Sequence, residues 1–129
     1  MTKKEEEKQL FKRAEGFLKT AEYQKSEGVY DLAIFSLEQA LQLQLKARLL
    51  ATGIEYPRTH SLIKLLDLLA RTVPENKKTV LQSIPEGYAL ELGMLEDAYI
   101  TSRYVMREFT KIEAEKLKAS VKEIIRIVG

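Results

Sequence analysis

Tyr30-Asp31-Leu32-Ala33-Ile34-Phe35-Ser36-Leu37-Glu38-Gln39-Ala40-Leu41-Gln42-Leu43-Gln44-Leu45-Lys46-Ala47-Arg48-Leu49-Leu50 is the stretch that decides the fold. Its apolar side chains recur every three or four residues. Ile34, Leu37, Leu41 and Leu45 make one row, and Leu32, Phe35, Leu43 and Leu50 another. That period belongs to an α-helix, not to the two-residue alternation of a strand. The spacing predicts a helix over residues 30–52, apolar on so much of its circumference that it is the most buried of the chain. A third row, Ala33, Ala40 and Ala47, repeats every seven residues and is small, so another helix can approach closely at a shallow left-handed crossing.

The same period extends to both sides. Leu10, Ala14, Phe17 and Ala21, widened by Phe11 and Leu18, predict a helix over residues 4–27, with Gly28 able to take the left-handed stop. Gly53 ends the central helix, and Gly53-Ile54-Glu55-Tyr56-Pro57-Arg58-Thr59-His60-Ser61 reads as a loop in which Thr59 or Ser61 can cap the next helix. A helix over residues 61–72 turns Leu62, Leu65, Leu66 and Leu69 inward. Pro74 and Pro85 each suit a first helical turn, which predicts a short connector over residues 74–84 with Val80, Leu81 and Ile84 inward. The next helix then starts near Glu86 with Tyr88, Leu92, Leu95, Tyr99, Ser102 and Met106 in one seam. The last seam, Ala114, Leu117, Val121, Ile124 and Val128, is out of phase with it, so a break is expected between Val105 and Thr110. Thr110-Lys111-Ile112-Glu113 is a capping box there, with Phe109 and Ala114 at the staple positions.

No stretch shows strand-like alternation, so the expected fold is all-α: an antiparallel up-and-down bundle of four long helices plus a short connecting helix, one domain over residues 1–129. The central helix and the one from Glu86 carry more apolar residues than a monomer core needs, which favours a homodimer. The chain has 129 residues, no cysteine and one histidine, His60, which excludes disulfide scaffolds, Cys-ligated metals and thiol nucleophiles. A net charge of +2 supplies no general field for nucleic acid. The start, Met1 to Lys8, is charged, and uncharged stretches such as Gln39 to Leu45 are far too short for a signal or a membrane span, so a soluble cytoplasmic protein is expected. Lys and Glu dominate the charge and Asn occurs once, at Asn76, a composition that leans toward a thermophile's ion-pair surface.

Chemistry is sparse. His60 lies beside Arg58 and within a turn of Lys64, where it can serve as a base or bind a phosphate at the positive end of the helix after it; the competing reading is a histidine that packs or caps that helix. Glu91, Glu96 and Asp97 have no histidine partner and fit a solvated face, so no metal and no cofactor are expected. Phosphate-loop and dinucleotide glycine patterns are missing. Residues 39–64 hold four basic side chains (Lys46, Arg48, Arg58, Lys64) against Glu55, whereas residues 79–102 hold four acids and no base. Two readings stand: ion pairs between neighbouring helices, or a polar cleft in which Lys46, His60 and Arg103 meet a phosphate-bearing ligand or a partner. Tyr104, beside Arg103, has the form of a stacking platform or of a core aromatic.

Three ordered stretches resemble one family. They are Ala33-Ile34-Phe35-Ser36-Leu37-Glu38-Gln39-Ala40 continuing to Leu45-Lys46-Ala47, then Pro57-Arg58-Thr59-His60-Ser61-Leu62, then Leu95-Glu96-Asp97-Ala98-Tyr99-Ile100-Thr101-Ser102-Arg103-Tyr104. Together, over about residues 5–125, they resemble the HEPN domain (higher eukaryotes and prokaryotes nucleotide-binding) in its small stand-alone prokaryotic form. The resemblance implies a dimeric helical bundle, a nucleotide or RNA ligand, and a minimal nucleotidyltransferase as partner in a toxin-antitoxin-like pair. The candidate nucleotide or phosphate contacts, read from charge and position, are Lys46, Arg58, His60, Lys64 and Arg103. Many relatives are metal-independent ribonucleases with Arg, four to six residues, then His. Here the required positions are Gly53, Ile54 and Glu55, and Val105 stands where Arg-Tyr-Pro would continue after Arg103-Tyr104. The expected role is therefore binding without catalysis. The alternatives are a ribonuclease using His60, Arg103 and Tyr104 across a dimer, and a purely structural homo-oligomer.

Overall fold

The computed structural model of the chain describes residues 1–104 and 108–129, with residues 101–104 described as backbone alone. Among these residues the order is α1 (Lys3–Ser26), α2 (Tyr30–Ala51), α3 (Leu62–Thr72), α4 (Glu75–Gly87), α5 (Ala89–Tyr104) and α6 (Lys111–Val128), with no strand. The fold is the expected all-helical bundle. α1, α2, α5 and α6 are its long members, and α3 with α4 forms the connection across one end. Among the described residues no helix is long and apolar enough to cross a membrane.

Local chemistry sets the boundaries. Thr2 caps α1 by accepting the Glu5 N–H at 3.1 Å, with Glu5 and Glu6 placed favourably at the positive end of the helix. α1 and α2 end alike: the N–H of Gly28 reaches Lys25 O and that of Val29 reaches Gln24 O, while Gly53 reaches Leu50 O and Ile54 reaches Leu49 O. Both glycines have positive φ, 78° and 87°, the backbone state that this paired closure demands. Ser61 caps α3 by accepting the Lys64 N–H. Thr110 and Glu113 satisfy each other's backbone N–H groups in the capping box expected at the start of α6, and Phe109 and Ala114 are both buried beside it.

α2 is the axis of the bundle, packed against α1, α3, α5 and α6. Its row Ile34, Leu37, Leu41 and Leu45 is buried, as are Ala33, Ala40 and Ala47. Ala47 packs with Leu10 of α1 and Leu50, the close approach that small residues permit. The seam Ala114, Leu117, Val121, Ile124 and Val128 of α6 is buried throughout.

Three expectations fail. Pro85 does not start a helix: α4 runs through it to Gly87, and the joint with α5 falls at Tyr88, whose N–H still reaches Ile84 O at 2.9 Å. A proline in a last turn removes one N–H and leaves the helix intact up to the joint. Val80 is 48 % exposed, because Leu81 and Ile84 alone define the inner face of α4. Leu32 is 44 % exposed, because the inner face of the start of α2 is the one that carries Ala33, Ile34 and Leu37. The break expected between Val105 and Thr110, and the seam positions Ser102 and Met106, fall wholly or partly outside the described residues.

Candidate functional site

The segment between α2 and α3 folds back along α2 toward α5, and the three enclose an open groove of about 330 Å³. α2 contributes Gln42 and Lys46, the segment Tyr56, Arg58, Thr59 and His60, and α5 Tyr99. The segment is held at several points. The Thr59 N–H donates to Pro57 O, the Ser61 N–H donates to Thr59 Oγ1 at 3.1 Å, and the Tyr56 hydroxyl donates to Glu6 Oε1 at 2.9 Å, tying the groove to α1. Burial and the neighbouring Glu6 carboxylate push the Tyr56 phenol up, so it remains the donor.

Two stacked rings form one side, with a third ring outside the lining packed on one of them. His60 stacks on Tyr99 with centroids 4.6 Å apart and 24° between planes, and Tyr99 stacks on Phe35 at 6.3 Å and 12°. His60 is exposed, so its outer face is open to a planar ligand. The Lys46 ammonium lies 5.4 Å from the Tyr56 ring centroid, within cation–π range. Desolvation pulls the Lys46 ammonium below its ordinary range, partly offset by Glu38.

Behind Lys46 a hydrogen-bonded ladder runs along α2 at four-residue steps. Lys46 Nζ donates to Gln42 Oε1 at 3.0 Å, and Gln42 Nε2 donates to Glu38 Oε2 at 2.9 Å. Gln39 Nε2 donates to the other oxygen of Glu38 at 2.7 Å. Glu38 has no exposed surface. Burial pushes its carboxyl up to about 7; the two amides and Lys46 act against this, and Glu96 on α5 acts with it. Glu96 Oε1 is itself buried with no hydrogen-bond partner among the described residues.

Of the residues singled out from sequence, Lys46, Arg58 and His60 come together on this groove. Lys64 does not: it lies on the exposed side of α3 and lines a separate hollow of about 320 Å³ with Ile63, Leu66, Asp67, Leu81 and Pro85. Arg103 sits on α5 one helical turn after Tyr99, and its side chain, like that of Tyr104, is outside the described residues. Among the described residues no ion pair joins Lys46, Arg48, Arg58 or Lys64 to α5, and Lys46 is held by an amide instead. No group of three or more His, Asp or Glu among them could hold a metal ion. Tyr99, Tyr56, Gln42 and Glu38 were not singled out. Tyr99 fits a core seam by its spacing, and only the Tyr-Pro pair at residues 56–57 marks an aromatic held in a loop.

Fold and groove together define an all-helical bundle with an open groove, its cationic side chains set around stacked rings. Residues 7–129 match the HEPN domain family, and the chain belongs to it. TT1696 from Thermus thermophilus is a similar solved structure, with 25 % identity, a TM-score of 0.73, and 95 % of this chain and 94 % of that one covered. ST0689, an archaeal HEPN homologue, is similar at 27 % identity and a TM-score of 0.63, with 95 % and 93 % covered. No curated protein matches the chain.

Proposed function

We propose that this HEPN domain is a non-catalytic nucleotide-binding and partner module, acting as a homodimer with a minimal nucleotidyltransferase in a toxin-antitoxin-like pair. The observation that carries the ligand part is the convergence of Lys46 on α2 with Arg58 and His60 of the segment that follows it, on one groove beside the Tyr99–His60 stack. Two cationic side chains offer donors to phosphate oxygens, and the exposed imidazole face offers a surface to a base. The sequence speaks against cutting, because Gly53, Ile54 and Glu55 occupy the positions from which an arginine would serve His60.

Calorimetry with ATP, together with co-purification with a nucleotidyltransferase encoded beside it, tests this reading. The expected result is saturable binding lost in Lys46→Met and His60→Ala, a stable complex, and single-stranded RNA left intact without metal. No heat with any nucleotide and no complex would remove it. A second reading has one observation in its favour: His60 stacks on Tyr99, a turn from Arg103 on α5. If the domain is a ribonuclease, RNA is cut without metal, and both His60→Ala and Arg103→Ala abolish cutting.

A further inference from the structure

We propose that Glu38, Gln42 and Lys46 form a proton-linked arm of the groove: an anion that settles on the Lys46 ammonium draws a solvent proton onto the buried Glu38 carboxylate. This rests on the reading of the groove as an anion site and adds to it a regulation by pH. The geometry carries it. Glu38 is wholly enclosed, yet among the described residues neither of its hydrogen-bond donors is a cation; both are neutral amides, from Gln39 and Gln42. Among the described residues, the charged groups acting on it are Lys46, from its own helix, and Glu96, from α5. One of these favours its ionisation and the other opposes it. The favourable one is the residue that also lines the groove.

Gln42 connects the two ends in a single sense. Its carbonyl oxygen accepts from Lys46 and its amide nitrogen donates to Glu38, so the ammonium polarises the amide toward the carboxylate. An incoming anion acts on this chain in two ways with the same sign. Its charge offsets that of Lys46 as seen from Glu38, and by engaging the ammonium it weakens the Lys46–Gln42 bond. Both raise the carboxyl's hold on a proton, and once Glu38 is neutral its repulsion with Glu96 is gone. The proton comes from solvent and no covalent bond changes elsewhere. Binding with proton uptake weakens as pH rises, by about tenfold in total for each unit that the anion adds to the Glu38 midpoint.

Sulfate is the probe, because it does not itself titrate in this range. Calorimetry is run with sulfate from about pH 6 to about pH 8.5, in buffers of different ionisation enthalpy, on the unsubstituted chain and on Glu38→Gln, so that a proton taken up by His60 is common to both and cancels in the difference. The expected result is an uptake about half a proton per sulfate greater in the unsubstituted chain between pH 7 and 8, and an affinity that falls about tenfold further toward the upper end. Glu38→Gln binds sulfate with only the uptake and the pH dependence that His60 supplies. Equal uptake with and without Glu38, or binding without uptake when Glu38 is present, overturns the proposal and leaves the groove reading standing. Sulfate that fails to bind at any pH overturns both. The unsubstituted chain supplies a second measurement: the carboxyl NMR titration of Glu38 moves to higher pH on saturation with sulfate, and a midpoint that stays in place overturns the proposal.

Discussion

Glu38 has no exposed surface and holds its proton up to about 7 in the folded chain, against 4.5 for an ordinary glutamate. Between those values the folded state binds more protons than the unfolded one, so stability falls as pH rises. The contribution is fully present below about 4.5 and is lost on passing about 7. Denaturant unfolding at a series of pH values is expected to show a loss of order 3 kcal/mol from this group across that window. Glu38→Gln should lack that component, and parallel curves for the two proteins would refute the assignment. Tyr56→Phe, which deletes the hydrogen bond to Glu6, is expected to cost about 0.5–1.5 kcal/mol in the same assay. Residues of this kind are poorly legible in the sequence. A glutamate on a helix reads as a solvated face, and only the packing of α5 over α2 encloses Glu38. Tyr99 fits the core seam because the 3.6-residue period does not separate a core position from the wall of a groove. Lys46, Arg58 and His60 were legible, since a basic cluster around a loop histidine survives any rotation of the flanking helices. Lys64, a turn further on, was carried by that rotation to another hollow.

At the scale of elements, the ends of helices were read most securely, because capping depends on a few adjacent residues. The capping box at Thr110 and the glycine closures at Gly28 and Gly53 formed where their residue types require. Thr110→Ala removes one half of the box, and a loss of about 1 kcal/mol in thermal or denaturant unfolding is expected. Faces of short helices are harder. In α4 only two apolar positions choose the inner side, and Val80 is next to one of them in sequence. The structure resolves this with Leu81 1 % and Val80 48 % exposed. Leu81→Ala is therefore expected to cost about 2–5 kcal/mol, and Val80→Ala to stay within about 0.5 kcal/mol of the parent. Similar losses for the two would return α4 to the orientation expected from sequence. Pro85 misled for a related reason: a proline is tolerated in the first turn of one helix and, at the cost of a single hydrogen bond, near the end of another, and residue type does not decide between them.

Across the whole molecule, burial is concentrated on one helix. α2 meets α1, α3, α5 and α6, whereas the packing of α4 is with α3, α5 and α6 at one end of the bundle. Opening α4 exposes chiefly Leu81 and Ile84, while opening α2 exposes Ile34, Leu37, Leu41, Leu45 and Leu49 together with every helix leaning on them. The free energy needed to expose an amide should track that difference. Native-state hydrogen exchange is expected to place the amides of central α2 at the global unfolding free energy and those of α4 well below it. Leu41→Ala, which empties a site with no exposed surface, should lower the α2 amides by the full loss of about 2–5 kcal/mol. It should lower the α4 amides much less, because an opening of α4 alone leaves Leu41 packed. The groove has one wall on α2 and another on the segment that precedes α3, so local opening at the α3–α4 end can proceed while Lys46 stays fixed on its helix. If instead α4 exchanges as slowly as α2, and Leu41→Ala shifts both equally, the six helices open as one unit and the groove cannot widen without unfolding the bundle.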